Sequence, residues 1–213
     1  MSESKVREEI ARACGLMAER GWVANHDGNA SARVGPNRLL CTPTATHKSR
    51  ITAQELCVTD AKGKQVSGRG RPFSEYAIHL AVYRARADVK AVVHAHPPYA
   101  TALGVSGREL RCFLPESVVS LGEKVPLVPL TAPGPDAVTA IEAFMAKHDA
   151  VIVSGNGVFA WGDDVDQAYC RLELVEHLAT IASHAAPWGG PHPLPKTMVD
   201  ALLEARKKVF GRV

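Results

Sequence analysis

Two histidines separated by a single residue lie in residues 91–98, which read Ala-Val-Val-His-Ala-His-Pro-Pro. The apolar residues predict a buried strand, and the two prolines end it. Side chains two positions apart on a strand project from the same face, so His94 and His96 should point the same way. Zinc and similar divalent cations accept neighbouring imidazoles as ligands. The pair therefore predicts a metal site, although two ordinary polar residues at a strand end would give the same pattern.

A glutamate in another segment has the chemistry to work beside such a site. Glu75 follows Ser74, whose hydroxyl suits the N-cap of a helix over about residues 74–86. The helix dipole favours a carboxylate such as that of Glu75 in the first helical turn. His79 lies four residues later, on the same helical face as Glu75. A carboxylate near a metal moves protons as a general base. Alternatively, Glu75 is only a helix-start carboxylate.

The composition is typical of an ordinary globular protein. The 213 residues are 46% hydrophobic and 22% charged, so we expect one domain over residues 1–213. A net charge of +3 without a Lys/Arg patch argues against a nucleic-acid partner. No apolar run approaches the length of a membrane span, and the N-terminus lacks a signal-peptide core. Five scattered cysteines are typical of reduced thiols, so we expect a cytoplasmic protein that does not bind membranes.

Alternating helical and extended patterns predict the elements that position these side chains. Helices and strands alternate too irregularly for a βαβ array. We therefore expect an α/β fold with three αβα layers, in which helices cover both faces of a mixed, mostly antiparallel sheet. The predicted helices are residues 6–17, 74–86, 99–103, 136–147, 165–184 and 196–210, with one helical turn from residue 52. The clearest predicted strands are residues 39–42, 91–93, 125–130, 150–153 and 158–161.

The last two strands are separated by Ser-Gly-Asn-Gly at residues 154–157. Asn-Gly between two strands is a strong hairpin signal, because both residues tolerate left-handed backbone. We expect Asn156 at the left-handed position of this turn.

Five stretches, taken in order, resemble the class II aldolase/adducin family, which includes sugar-phosphate aldolases and epimerases. Together they cover most of residues 7–184. They are Gly-Asn-Ala-Ser at 28–31, Thr-Pro-Thr at 42–44, Ser74 and Glu75 with His79, His-Ala-His-Pro at 94–97, and Ser-Gly-Asn-Gly at 154–157 followed by Trp161 and Gly162.

The resemblance implies a helix-flanked antiparallel sheet and a homotetramer with active sites between subunits. It also implies a divalent cation on His94, His96 and a third histidine of an Asn-His-Gly motif, with Glu75 as the general base. The cation is generally Zn²⁺, with Mn²⁺ or Co²⁺ as alternatives. The residues implied to hold a substrate phosphate are Gly28, Asn29, Thr44, Ala45, Phe73 and Ser74.

Such a site suits a carbon–carbon lyase. Aldol cleavage, epimerisation through cleavage, and decarboxylation beside a carbonyl all leave an enediolate or enolate. A cation chelated by a carbonyl and a neighbouring hydroxyl stabilises that charge, and Glu75 moves the proton. We therefore expect aldol cleavage of a small hydroxy-ketone or sugar phosphate.

The third histidine of the family motif is replaced by Asn156. An amide oxygen is a harder and weaker donor than imidazole, so Asn156 is a tentative third ligand or serves only the turn. His26, His47 or His192 could supply a replacement from loops, but their spacing selects none of them and is equally that of surface histidines. Water could complete the metal shell instead. Loss of a ligand also leaves open a non-catalytic assembly module like the head domain of adducin.

The implied phosphate cradle is altered as well. The family usually has glycine where Ala45 stands and a small hydroxyl residue where Phe73 stands. A phenyl ring removes a donor and fills volume that phosphate oxygens need. Either Lys48 and Arg71 replace the lost charge, or the substrate lacks phosphate, as for a decarboxylase of a keto or hydroxy acid.

Overall fold

Apolar side chains alternate along the central strands, and this alternation builds a core on each face of the sheet. Within one strand, Ala91, Val93 and Ala95 belong to one hydrophobic cluster, whereas Val92 belongs to the other. The computed structural model describes residues 2–132 and 134–211 of the chain. Helices cover both clusters, which confirms the predicted three-layer αβα fold.

Seven α-helices and ten strands lie within the described residues. The helices are α1 (Glu3–Glu19), α2 (Tyr76–Ala85), α3 (Pro98–Val105), α4 (Pro115–Leu121), α5 (Pro135–Met145), α6 (Val165–Ala185) and α7 (Lys196–Phe210). The strands are β1 (Asn29–Gly35), β2 (Arg38–Cys41), β3 (Cys57–Thr59), β4 (Gln65–Ser67), β5 (Ala91–Ala95), β6 (Leu110–Arg111), β7 (Lys124–Val125), β8 (Leu127–Val128), β9 (Ala150–Val153) and β10 (Val158–Gly162).

Eight of the strands form one sheet in the order β4-β3-β2-β1-β5-β10-β9-β8. The pairs are antiparallel except for β8 with β9, as expected for a mixed, mostly antiparallel sheet. Helices α2 and α5 pack on one face, whereas α1, α3, α4 and α6 pack on the other. No helix in the described part of the chain is both long and apolar enough to cross a membrane.

The longest helices match their predicted ranges. Asp164 caps α6 by accepting a hydrogen bond from the backbone N–H of Gln167 at 2.8 Å. Helix α7 spans the predicted residues 196–210. These elements are recognisable in the sequence because their caps and apolar spacing are local.

Two local predictions are wrong. At residue 52 the capping-box contacts form, since Glu55 accepts from the Thr52 backbone N–H at 3.0 Å and from its hydroxyl at 2.7 Å. However, no helical turn follows, and a 3₁₀ helix lies earlier, at Lys48–Arg50. The strand predicted over residues 125–130 is split into β7 and β8 at Pro126, which has no N–H to donate to a neighbouring strand.

A buried charge cluster joins helices from both layers. The fully buried Asp149 precedes β9 and accepts a hydrogen bond at 3.0 Å from Arg86, which follows α2. The same carboxylate pairs with Arg171 of α6 at 3.0 Å and with Arg206 of α7. Each arginine is less than one-tenth exposed. One carboxylate therefore connects helices α6 and α7 to the segment that follows α2.

Replacing Asp149 by Ala should lower the free energy of unfolding by about 3–5 kcal/mol, because buried guanidinium groups lose their shared counter-charge. Urea denaturation followed by circular dichroism measures this loss. As a control, Asp200→Ala removes the partner of the exposed Lys196 and should change the stability by less than about 0.5 kcal/mol. Equal losses in the two variants would show that the buried cluster stabilises the fold no more than a surface pair.

Candidate active site

The register of the three central strands places Asn29, His94 and Phe159 side by side. His94 of β5 lies directly opposite Asn29 of β1 and opposite Phe159 of β10. Directly opposite residues of antiparallel strands share a face, so all three side chains lie on the side covered by α2. The His94 ring stacks on Phe159, with centroids 3.9 Å apart and planes 12° apart.

His94 is held in a single tautomer. Its Nδ1 lies 2.9 Å from the carbonyl oxygen of Val158, and because a carbonyl only accepts, Nδ1 carries the proton. Nε2 therefore carries the lone pair. Burial lowers the pKa of the fully buried His94, which keeps the ring neutral as metal ligation requires.

His96 lies just beyond β5 and faces the same centre. Its backbone N–H donates to the carbonyl of Trp22 at 2.8 Å, and its Nδ1 lies 3.3 Å from a carboxylate oxygen of Asp27. Because a carboxylate accepts, the His96 ring proton lies on Nδ1, and the lone pair is again on Nε2. The Nε2 atoms of His94 and His96 are 3.2 Å apart, so the prediction that both rings point the same way is confirmed. Two lone pairs this close repel unless a cation or a proton lies between them.

The donor atoms fit a zinc-type ion. Ligands bound to tetrahedral zinc lie about 3.3–3.4 Å from one another. The two Nε2 atoms are 3.2 Å apart, and His94 Nε2 lies 3.4 Å from Glu75 Oε2. Nevertheless, within residues 2–132 and 134–211 no three His, Cys, Asp or Glu side chains form a complete metal-binding group. The two imidazoles thus have the spacing and tautomers of ligands, and the third ligand is lacking.

Glu75 reaches this centre from the start of α2. Glu75, rather than the predicted Ser74, is the N-cap residue, and its side chain makes no capping hydrogen bond. Both of its oxygens are used elsewhere. Oε1 accepts from Asn156 Nδ2 at 2.5 Å, and Oε2 accepts from Asn29 Nδ2 at 3.1 Å.

The surroundings of Glu75 favour its ionised form. Burial acts to raise the pKa of this carboxyl, but the amide donors of Asn156 and Asn29, together with the charge of His94 whenever that ring is protonated, outweigh burial. The pKa of Glu75 therefore lies below its ordinary value. The result is a carboxylate anion that lies 3.4 Å from an imidazole nitrogen and can accept a proton.

His79, which lies in α2 four residues after Glu75, has a structural role. It is fully buried, and its Nδ1 lies 2.8 Å from Ser31 Oγ. Burial holds the pKa of His79 well below its ordinary value. The ring packs against Phe73 at a centroid distance of 4.8 Å. His79 is thus part of the core beneath the site.

The turn that carries Asn156 differs from the prediction. Asn156 does not adopt left-handed backbone; instead Gly155 and Gly157 do, with φ of 71° and 69°. A Cβ atom on Gly157 would lie 2.7 Å from Cδ2 of His96 and would also collide with the carbonyl of Ala95. The turn therefore packs against the end of β5, and this contact places Asn156 beside Glu75.

Two of the residues implied to bind phosphate are used inside the site. Gly28 has a φ of 69°, and a Cβ atom there would lie 2.5 Å from a methyl carbon of Val23 and 3.1 Å from the His94 carbonyl. Asn29 donates to Glu75, and its Oδ1 is buried with no hydrogen-bond partner in the described part of the chain. Both residues support the histidine strand and the carboxylate.

The other implied phosphate residues lie on two adjacent loops. The Thr44 backbone N–H donates to the Arg71 carbonyl at 2.8 Å, which holds the loops side by side. Ala45 is exposed and adopts left-handed backbone with a φ of 55°, at the position where the family usually has glycine. Ser74 is also exposed. Ala45 and Ser74 are therefore open to solvent, whereas the Thr44 N–H is already used between the loops.

The ring at the altered cradle position, Phe73, lies in the core, so only the predicted loss of a hydroxyl donor remains. Phe73 is only 8% exposed, and its ring packs against Tyr76 and His79 at centroid distances of 5.3 Å and 4.8 Å. It therefore occupies the core instead of filling the volume of a phosphate.

Lys48, suggested as a phosphate-binding charge, and His47 and His192, suggested as replacement ligands, have contacts or positions away from the site. Lys48 is buried, and its ammonium donates to the His26 carbonyl at 3.1 Å, so it is not free to bind a phosphate. His47 Nδ1 lies 2.8 Å from Ser49 Oγ. His192 lines a separate cavity of about 770 Å³ between α3 and α6. Among the contacts of the described residues, none joins these histidines to His94 or His96.

Two supporting carboxylates were missed by the sequence analysis. Asp27, beside His96, lies in the polar loop before β1, where nothing local indicates its partner. Glu176 of α6 accepts from the backbone N–H groups of Tyr99 and Ala100 at 3.1 and 2.8 Å. Burial raises the pKa of Glu176, although these two N–H groups oppose the rise. Glu176 thus caps α3, which begins two residues after His96.

Comparison with known proteins agrees with this fold. A family model described as the Class II Aldolase and Adducin N-terminal domain matches residues 8–183. Methylthioribulose-1-phosphate dehydratase of Methylococcus capsulatus is 31% identical over 182 residues, covering 80% of this chain and 89% of that protein. The 3-oxo-tetronate 4-phosphate decarboxylase of Escherichia coli K12 is 31% identical over 185 residues, covering 84% and 86%. These matches confirm the predicted resemblance.

A solved structure extends the likeness to three dimensions. L-Fuculose 1-phosphate aldolase superposes with a TM-score of 0.88 at 26% identity, covering 97% of this chain and 98% of that one. The likeness therefore includes nearly the whole of both chains.

Replacing Glu176 by Ala should lower the free energy of unfolding by about 1–3 kcal/mol, because the buried Ala100 N–H loses its acceptor. Thermal and urea denaturation measure the change. Glu173→Ala is the matched control on the same helix, since Glu173 makes a half-exposed pair with Arg20 and should contribute less than about 1 kcal/mol. Equal stability of E176A and the unsubstituted protein would contradict the capping role.

Proposed function

Because this chain belongs to the class II aldolase and adducin family, we propose that it is a carbon–carbon lyase that depends on a divalent cation. One observation carries the proposal. The Nε2 atoms of His94 and His96 face each other at 3.2 Å with their lone pairs inward, and the Glu75 carboxylate adjoins them. Relatives in this family include an aldolase, a dehydratase and a decarboxylase, all of which are lyases.

In the proposed reaction, each group of the site has one task. His94 and His96 would hold the cation, Zn²⁺ before Mn²⁺ or Co²⁺ because both ligands are imidazoles. When bound, a divalent cation supplies Lewis-acid stabilisation of negative charge on a carbonyl oxygen. Glu75 accepts the proton of a substrate hydroxyl as the carbon–carbon bond breaks. The unpartnered Oδ1 of Asn29 accepts from a neighbouring substrate hydroxyl.

We propose a small hydroxy-ketone phosphate as substrate, with aldol cleavage as the reaction. The names of the relatives described above all specify a phosphorylated substrate. Thr44, Ala45 and Ser74 lie on adjoining loops and would receive the phosphate together with Gly28. Decarboxylation of a keto acid is the second candidate, favoured by the 31% identity to a decarboxylase. For an unphosphorylated substrate the same loops would face a hydroxyl or carboxylate.

We further propose a cytoplasmic homotetramer with the site between subunits. His96 and Glu75 have side chains 31% and 26% exposed, so the centre is open on one side. A neighbouring subunit covering that side would exclude water from the reacting atoms.

Replacing Glu75 by Gln should lower kcat by about 10²- to 10⁴-fold, because the amide cannot accept the proton. Bound metal should remain at the level of the unsubstituted protein. The assay uses ketose phosphates, 3-keto-acid phosphates and their unphosphorylated counterparts, with the cleaved carbonyl product and CO₂ measured separately. Glu142→Gln on the exposed surface of α5 is the control. Turnover by E75Q equal to that of the unsubstituted protein would remove Glu75 as the base.

The metal content distinguishes this enzyme from a non-catalytic assembly module, which the replaced third histidine favours. After incubation with Zn²⁺ and desalting, elemental analysis should find bound zinc that is lost in His94→Ala and His96→Ala. The exposed His192→Ala is the control and should retain it. A protein that binds no zinc, manganese or cobalt under these conditions would support the module and contradict the lyase.

A further inference from the structure

Asn156 stands where the family has its third histidine, yet its contacts are not those of a ligand. Its Nδ2 donates to Glu75 Oε1 at 2.5 Å, the shortest of the contacts made by that carboxylate. Asn29 donates to the other oxygen at 3.1 Å. The carboxylate is therefore held at both oxygens by amide N–H groups, and the side chain of Asn156 is oriented toward Glu75.

The backbone around Asn156 favours this orientation. The Asn156 backbone N–H donates to the Val153 carbonyl at 2.9 Å and closes the turn between β9 and β10. Gly157 allows the turn to approach the backbone of His96 more closely than any side chain would permit. The half-buried Asn156 is thus fixed at its backbone, and its side chain extends to Glu75.

The same geometry limits what the chain offers to a cation. Both imidazoles have a partner on Nδ1, so only their Nε2 atoms are directed inward. Glu75 Oε2 is near His94 but is already an acceptor for Asn29. The two imidazole Nε2 atoms are therefore the strong nitrogen donors that the chain directs to this centre.

We propose that Asn156 is a positioning residue that orients Glu75 and is not a ligand of the cation. This inference rests on the proposed function, since it concerns the carboxylate and the cation of the same site.

Isothermal titration with Zn²⁺ alone tests the ligand assignment without any measurement of activity. His94→Ala should weaken zinc binding by about 100-fold or more, because an imidazole ligand is lost. Asn156→Ala should change the affinity by about threefold or less, because no ligand atom is removed. Asn156→His should strengthen binding by about tenfold or more by supplying a third imidazole. With Co²⁺ as the probe, the visible spectrum of N156H should differ from that of the unsubstituted protein, whereas N156A should match it.

Kinetics test the positioning role. Asn156→Ala should lower kcat by about 10-fold or more with little change in KM, because a misplaced Glu75 affects proton transfer and not substrate binding. Asn37→Ala, in the turn between β1 and β2, is the matched control and should leave both constants unchanged. A loss that appears only in KM would contradict the positioning role.

The outcomes separate this inference from the proposed function. If N156A weakens zinc binding as much as H94A does, Asn156 is a ligand and the inference is overturned, while the metal-dependent enzyme stands. If H94A and H96A leave the zinc affinity unchanged, the proposed metal site itself is wrong. Should N156H fail to fold, the zinc affinity and kcat of N156A decide the question.

Discussion

The pairing of β1, β5 and β10 places the row of side chains around which the site is built. Directly opposite residues share a face, so Asn29 and Phe159 flank His94 on the side covered by α2. A slip of one residue would turn His94 into the other hydrophobic cluster. The apolar residues that alternate between the two cores therefore also fix the face on which the imidazole meets Glu75.

Beside this row of side chains, polar groups contact one another in series, from Asp27 in the loop before β1 to Asn156 in the turn before β10. Asp27 adjoins His96, His96 faces His94, and His94 adjoins Glu75, which two amides hold. Burial penalises charge, and here the Glu75 anion is matched by amide donors while burial lowers the pKa of His94. The two facing Nε2 lone pairs repel each other, and a cation between them would relieve that repulsion.

The helical layers make this arrangement rigid. Glu176 caps α3 directly after the histidine strand, and Asp149 connects α6 and α7 to the segment after α2. Both carboxylates act on elements distant in sequence. Within this frame Asn156, which stands where the resemblance implies a third histidine, donates to Glu75.

Local sequence patterns were sufficient for the layers, the long helices, the hairpin before β10, and the common direction of the His94 and His96 rings. These features depend on spacing, caps and turn residues that lie within a few positions of one another. The resemblance to the class II aldolase/adducin family added the implied set of metal ligands. What the sequence could not supply was the pairing of groups far apart in the chain: Asn29 and Asn156 with Glu75, Asp27 with His96, and Phe73 with the core. Only the packed sheet and its helices decide those contacts, because they depend on strand register and on which face each helix covers.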